Sequence, residues 1–338
     1  MTLSAESQPN ERSTDQGAES VIDLAFIGAG SLSTTFHYPA VRDMPGVRLV
    51  AVCDLIQEKA EKNAATFDIP SVYTDYRTML DKEAVDALYI IMPPQDSFDL
   101  LQDCLNRGLH VFSEKPPTVT TFQTKVLAGI AAARDCVTQI GFQRKHIPLV
   151  KKMRDMVLAR GPVDQFFSEF VKASPGGGPY YGGRIDVLTC DAIHMVDTAV
   201  WLGGGTLPQV ASAVRQSYVD QNVKYNALMT FDNGTTGFFS ANWNSGRRHL
   251  TMAIHGQNCC AHIDPEHQGV YYDPEHPEGV TVTAVEAAGS DVPHKRLGFY
   301  DEGLEFVQAV RAGDPAMTQA SFERSIVTME TVERILNA

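Results

Sequence analysis

Residues 21–33, V-I-D-L-A-F-I-G-A-G-S-L-S, decide how the rest of the chain is read. The first seven are mostly apolar and partly β-branched, the composition of a strand buried on both faces of a parallel sheet. Gly28 and Gly30 then allow a tight turn with no Cβ in the way. Beyond such a turn a helix opens with its backbone N–H groups pointing outward, and a pyrophosphate can rest on them. The usual fingerprint is G-x-G-x-x-G, whose third glycine lets helix and strand pack closely. Here Ser33 holds that third position, and serine is small enough for the same approach. Gly28, Gly30, Ser31, Leu32 and Ser33 are therefore the expected phosphate-binding turn.

A second apolar run, Val47 to Cys53, ends in Asp54, which lies 24 residues beyond Gly30. That is where the ribose-binding acid of a dinucleotide site belongs. A carboxylate there accepts from ribose hydroxyls and repels a 2′-phosphate. Leu55 and Ile56 follow, with no arginine to hold such a phosphate, so the charge argument favours NAD over NADP.

At 338 residues the chain has room for about two domains with large cores. Its 43% hydrophobic and 20% charged residues are an ordinary globular mixture, while a net charge of −13 argues against nucleic acid or an anionic membrane as partner. No apolar run has the length of a membrane span. Residues 1–20 are polar and acidic and read as a disordered tail without a secretory signal. The six cysteines show neither a C-x-x-C pair nor zinc spacing, so no metal is expected and a reducing, cytoplasmic compartment fits.

From Val21 to Gly141 strand-like and helix-like stretches alternate, which means a doubly wound parallel sheet. Pro39 is expected to interrupt the first helical stretch. The irregular segments Gly28–Ser33, Asp54, Met92-Pro93-Pro94 and Glu114-Lys115-Pro116 each follow the carboxyl end of a strand, and ligands bind at that edge. Residues 142–338 form a second domain. Ser174–Gly183 reads as a glycine-rich loop in which Tyr180 and Tyr181 are candidates to lie over a substrate. Val210 to Val285 is β-rich, with a D-N-G turn at Asp232–Gly234, and Asp264 to Glu278 reads as loop and hairpin. His255, His262, His267 and His276 fit no compact metal motif.

The set G-A-G-S-L-S, A-V-C-D, M-P-P, S-E-K-P and G-F-Q-R-K, in this order and spacing, resembles the Gfo/Idh/MocA oxidoreductase family, and S-E-K-P is the most specific of these marks. The resemblance implies a carboxyl-terminal α/β domain with a large open, mainly antiparallel sheet, often used for homodimer or homotetramer contacts. It implies NAD(H)-dependent hydride transfer at a carbinol carbon of a sugar, sugar derivative or cyclitol. A redox-neutral NAD-dependent glycosidase and a non-catalytic sugar sensor of the same fold stand as alternatives.

Lys115 is the expected polar catalyst, since an ammonium beside the carbinol oxygen stabilises developing negative charge and relays the proton. Glu114 positions it or the nicotinamide ribose, and Gln143 and Arg144 reach nicotinamide or substrate. Residues 189–204, T-C-D-A-I-H-M-V-D-T-A-V-W-L-G-G, read as a helix. The family's helix here carries D-x-x-x-H followed by another Asp. His194 and Asp197 match the later part, but Cys190 stands where the first Asp belongs. Asp191, three residues before His194, is the candidate replacement, sharing a face with the imidazole and either supporting it as general base or binding a substrate hydroxyl.

Overall fold

The computed structural model describes residues 21–174, 180–216 and 222–337, so the tail over residues 1–20 and half of the glycine-rich loop, residues 175–179, lie outside the described residues. Six strands form the first sheet: β1 (Ile22–Ile27), β2 (Val47–Cys53), β3 (Ser71–Tyr73), β4 (Ala87–Ile90), β5 (His110–Ser113) and β6 (Thr138–Ile140). Their spatial order is β3-β2-β1-β4-β5-β6, and every pairing is parallel. This is the doubly wound order, with its switch point between β1 and β4. Gly28 sits there at φ +114°, and a Cβ on it would stand 2.1 Å from the carbonyl oxygen of Ile91. Only glycine lets the two strand ends approach so closely. Pro39 does not break the first helical stretch. A π-turn over Ser33–His37 passes into the helix Tyr38–Arg42, and the proline takes an opening position, where a missing N–H costs no bond.

The second sheet holds β7 (Gln165–Ala173), β8 (Gln209–Gln216), β9 (Asn222–Thr230), β10 (Thr236–Asn242), β11 (Asn244–Gly256), β12 (Cys259–Asp264), β13 (Gln268–Asp273) and β14 (His276–Thr283). Its order is β14-β13-β12-β11-β7-β10-β9-β8, antiparallel throughout except for β7 beside β10. The loop and hairpin expected over Asp264–Glu278 are present, with β13 and β14 as the arms of the hairpin. Pro277 is tolerated because β14 is the sheet edge, where a missing donor need not break a ladder. Along β7, Phe166, Ser168 and Phe170 are buried and Phe167 and Glu169 exposed, the alternation of a sheet covered on one face.

The chain then returns to the first sheet. Phe306 and Val307, from the helix Phe299–Ala312, share a core with Phe26, Tyr89 and Phe112. Ile140 donates its N–H to the Ala320 carbonyl at 2.7 Å. All six cysteines are free thiols. No helix among the described residues is long and apolar enough to cross a membrane.

Candidate active site

The four irregular segments lie together along the carboxyl edge of the first sheet. Successive bonds tie them down: Gly28 N–H to Cys53 O at 2.8 Å, Ile91 N–H to Ile27 O at 2.9 Å, Glu114 N–H to Ile90 O at 3.2 Å and Gly141 N–H to Ser113 O at 2.8 Å. Asp54 accepts from the Ala29 N–H at 2.7 Å and the Ile56 N–H at 2.9 Å, which fixes its carboxylate against the glycine turn. Ser33 is buried and donates to the Gly30 carbonyl at 2.9 Å, so its hydroxyl closes the turn rather than facing outward. Pro94 is buried and begins a single 3-10 turn, with Met92 and Pro93 ahead of it toward the edge.

Glu114 accepts from His37 Nε2 at 2.9 Å and from the Lys115 N–H at 3.0 Å. The bare Cα of Gly141 makes room for it, since a Cβ there would meet Glu114 Oε1 at 2.8 Å. Behind this pair lies Glu302, fully buried, with no partner on either oxygen. Burial, reinforced by Glu114, raises its pKa well above the usual carboxylate value, so it is held protonated.

Lys115 reaches from this edge to the second domain. Its Nζ donates to the Cys190 carbonyl at 3.1 Å and stands 4.0 Å from Asp191 Oδ1. Position 190 thus contributes its backbone, while burial raises the Cys190 thiol to about 11 and keeps it neutral. Asp191 is the centre of a tight polar cluster. Lys172 from β7 is bonded directly to its Oδ2, and Tyr180 donates to the same oxygen at 2.7 Å. Trp243 Nε1 donates to Asp191 at 3.2 Å and to the Tyr180 hydroxyl at 3.1 Å. Burial pushes the Asp191 pKa up, but Lys115 and Lys172 more than offset it and hold it at about 2.

The expected Asp191–His194 partnership is not formed, because residues 188–192 wind as a π-turn before the helix Ile193–Leu202 begins. The longer i→i+5 turn alters the angular offset that three residues of α-helix give. His194 is buried edge-on to Phe142, 6.3 Å between centroids, and its Nδ1 has no partner. Burial, then repulsion from Lys115, Arg144, Lys172 and Arg248, lowers its pKa well below the ordinary value, so the ring is neutral. The other flanking acid, Asp197, turns away. It binds Lys145 at 3.0 Å and Thr328 at 3.1 Å, locking three elements together outside the site.

Arg144 is buried with its guanidinium 4.5 Å from the Phe170 ring centroid. Gln143, one residue earlier, opens the same 3-10 turn after β6. Tyr181 is half-exposed at the rim, where burial raises its pKa and the charges of Glu114 and Asp191 add to the shift. Lys115, Asp191 and His194 are therefore brought together, with Arg144, Tyr180 and Tyr181 around them. Lys172, Trp243 and Arg248 were missed, and only the inward side of β7 in its alternation pointed to Lys172.

The profile "Oxidoreductase family, NAD-binding Rossmann fold" matches residues 22–142, and the profile "GFO/IDH/MocA C-terminal domain" matches residues 165–261. The chain belongs to the Gfo/Idh/MocA oxidoreductase family. Scyllo-inositol 2-dehydrogenase (NAD(+)) of Bacillus subtilis is 24% identical over 314 residues, covering 87% of this chain and 88% of that protein. Among solved structures, a dehydrogenase from Chromobacterium violaceum superposes with a TM-score of 0.86 at 24% identity, over 94% of this chain and 95% of that one. Levoglucosan dehydrogenase, in a complex with NADH and levoglucosan, gives 0.82 at 17% identity, over 94% and 97%. As a Gfo/Idh/MocA member the protein is an NAD-dependent oxidoreductase, built on the sheet orders described above.

Proposed function

We propose that the protein moves hydride between NAD and a carbinol carbon of a sugar, sugar derivative or cyclitol. One observation carries this reading: an ammonium from the first domain and a carboxylate from the second stand 4.0 Å apart, beside a neutral buried imidazole. NAD, when bound, supplies the hydride acceptor at its nicotinamide. Lys115 holds the substrate oxygen and stabilises its developing negative charge. His194, neutral with one ring nitrogen unpartnered, accepts a hydrogen bond or proton from the hydroxyl. Asp191 keeps Lys115 and Lys172 charged and fixed.

The turn fits a dinucleotide. Gly28 is required by the fold, but Gly30 is not: its φ is ordinary and a Cβ there meets nothing within 4 Å. A bare backbone at Gly30 is what close approach by a pyrophosphate needs. Leu55, 91% exposed, and Ile56 follow Asp54 as apolar cover for an adenine, and neither offers a charge to a 2′-phosphate, which supports NAD over NADP. The two glycines therefore separate. Gly28→Ala is expected to lose about 3 kcal/mol or more of stability through strain and clash. Gly30→Ala should melt like the parent yet bind NAD at least ~10-fold more weakly by calorimetry. An unchanged NAD affinity in Gly30→Ala removes the turn from the cofactor site. Reduced-nicotinamide absorbance with a sugar panel tests the reaction. Net accumulation supports a dehydrogenase, product without net change supports a redox-neutral glycosidase, and tight binding without turnover supports a sensor.

The open face of the second sheet is the proposed homodimer or homotetramer surface. Phe238 pairs across the ladders with Phe167 on one side and Leu228 on the other, and the three are 39%, 42% and 53% exposed. A contiguous apolar row on central strands calls for a partner. Phe238→Asp should shift the mass measured by light scattering to that of a monomer, while an unchanged mass would place the interface elsewhere.

A further inference from the structure

We infer that the substrate carries an oxyanion, a carboxylate or phosphate on its sugar, received by Arg144 and Arg248 beside the ring of Phe170. This rests on the dehydrogenase reading above and names its substrate class. Four cations surround the reacting side chains: Lys115, Lys172, Arg144 and Arg248 all act on His194. Against them stand Asp191, taken by Lys172 and Lys115, and Glu266, paired with Arg248 at the more exposed rim. Glu114 is occupied by His37 and the Lys115 N–H. With Glu114 counted as the third carboxylate, the balance is +1, in a chain whose net charge is −13.

Arg144 is the telling member. It is 6% exposed, its Nε has no hydrogen-bond partner, and among the described residues no carboxylate lies within 4.0 Å of it. Its guanidinium lies 4.5 Å from the centroid of the Phe170 ring, a ring that also carries Arg248 at 5.7 Å and Lys172 at 5.1 Å. Burial, then repulsion from Arg248, lowers the Arg144 pKa to about 10. A buried guanidinium with no carboxylate beside it, and a second guanidinium over the same ring, is costly unless an anion offsets the charge, and the guanidinium fork matches carboxylate and phosphate oxygens.

The cofactor does not answer this need. The glycine turn that fits a pyrophosphate follows β1, whereas Phe170 lies on β7 of the other sheet. An oxidised nicotinamide is itself cationic and adds to the excess. A substrate anion, by contrast, offsets the field that suppresses His194 and makes the imidazole a better proton acceptor when substrate is in place.

The test compares glucose, myo-inositol, glucuronate and glucose 6-phosphate with NAD and the purified full chain. At least one of the two anions should exceed both neutral sugars by ~10-fold or more in kcat/KM, an advantage that shrinks as salt rises. Whichever anion leads identifies the oxyanion. Arg248→Gln, at the rim, and Arg144→Gln should each raise KM for that anion by at least ~10-fold. Neutral sugars matching or outrunning both anions, with no salt dependence, would overturn the inference while leaving the dehydrogenase reading intact. If no compound is turned over, that reading fails, and calorimetry on the full chain still decides the charge preference. Glucuronate or glucose 6-phosphate binding more tightly than glucose supports it; glucose binding as tightly as either overturns it.

Discussion

Lys115→Met is expected to lower kcat by about 10²–10⁴ while leaving the melting temperature close to that of the parent protein. Methionine keeps most of the side-chain volume and removes the charge and the donor. The stability loss is held to about 1 kcal/mol: Lys115 is the first of the two charges that lower Asp191, but Asp191 retains Lys172, Tyr180 and Trp243 as partners. The bond lost is the one from Nζ to the Cys190 carbonyl, 3.1 Å long, at a side chain that is 18% exposed, where water can replace the donor. The activity term is large because, among the described residues, no other cation is within 4.0 Å of that carboxylate from the side of the first sheet's edge. Steady-state rates and a melting curve on the same preparation check both halves. Full turnover in Lys115→Met would falsify the proposed role.

Asp191→Asn carries the second large effect, on stability and activity together. A carboxyl lowered from 3.8 to about 2 by its surroundings contributes about 2 kcal/mol of stability at neutral pH. The sign follows from the depressed value: the contribution is present above pH 4 and lost as the pH falls through about 2. Asparagine can accept from Tyr180 and Trp243 but cannot neutralise Lys172 and Lys115. The variant should therefore melt lower than the parent at pH 7, by about 2 kcal/mol when measured in denaturant, and the gap should narrow toward pH 2. Its kcat/KM should drop by roughly 10²-fold, since Lys115 loses the charge that aims it. A constant gap across pH would show that Asp191 matters by shape and hydrogen bonding alone.

The first sheet was legible because its signals are local. Strand-length apolar runs, glycines where the backbone must turn, and an acid 24 residues after Gly30 all act within one strand–helix–strand unit. The same locality put Met92–Pro94 and Glu114–Lys115 at the carboxyl edge, because each simply follows a strand. The reading slipped where Asp191 and His194 were paired by counting three residues along a helix, and the π-turn over Leu188–Ala192 undid the count.

The sequence by itself determined which residues end up at the lip of the first sheet, since their positions follow from strand ends and turns a few residues long. Only the tertiary structure decided what they face. Lys172 and Trp243 meet Asp191 because β11 pairs with β7, Asn244 lying opposite Ala173 ahead of a register shift, which brings together residues far apart in the chain. Arg144, on the turn after β6, and Arg248, on β11, come to the one ring of Phe170 for the same reason. Charge is carried by each side chain separately, but the field at a site is a sum over positions. No pattern along the chain contains those positions until the two sheets are packed together.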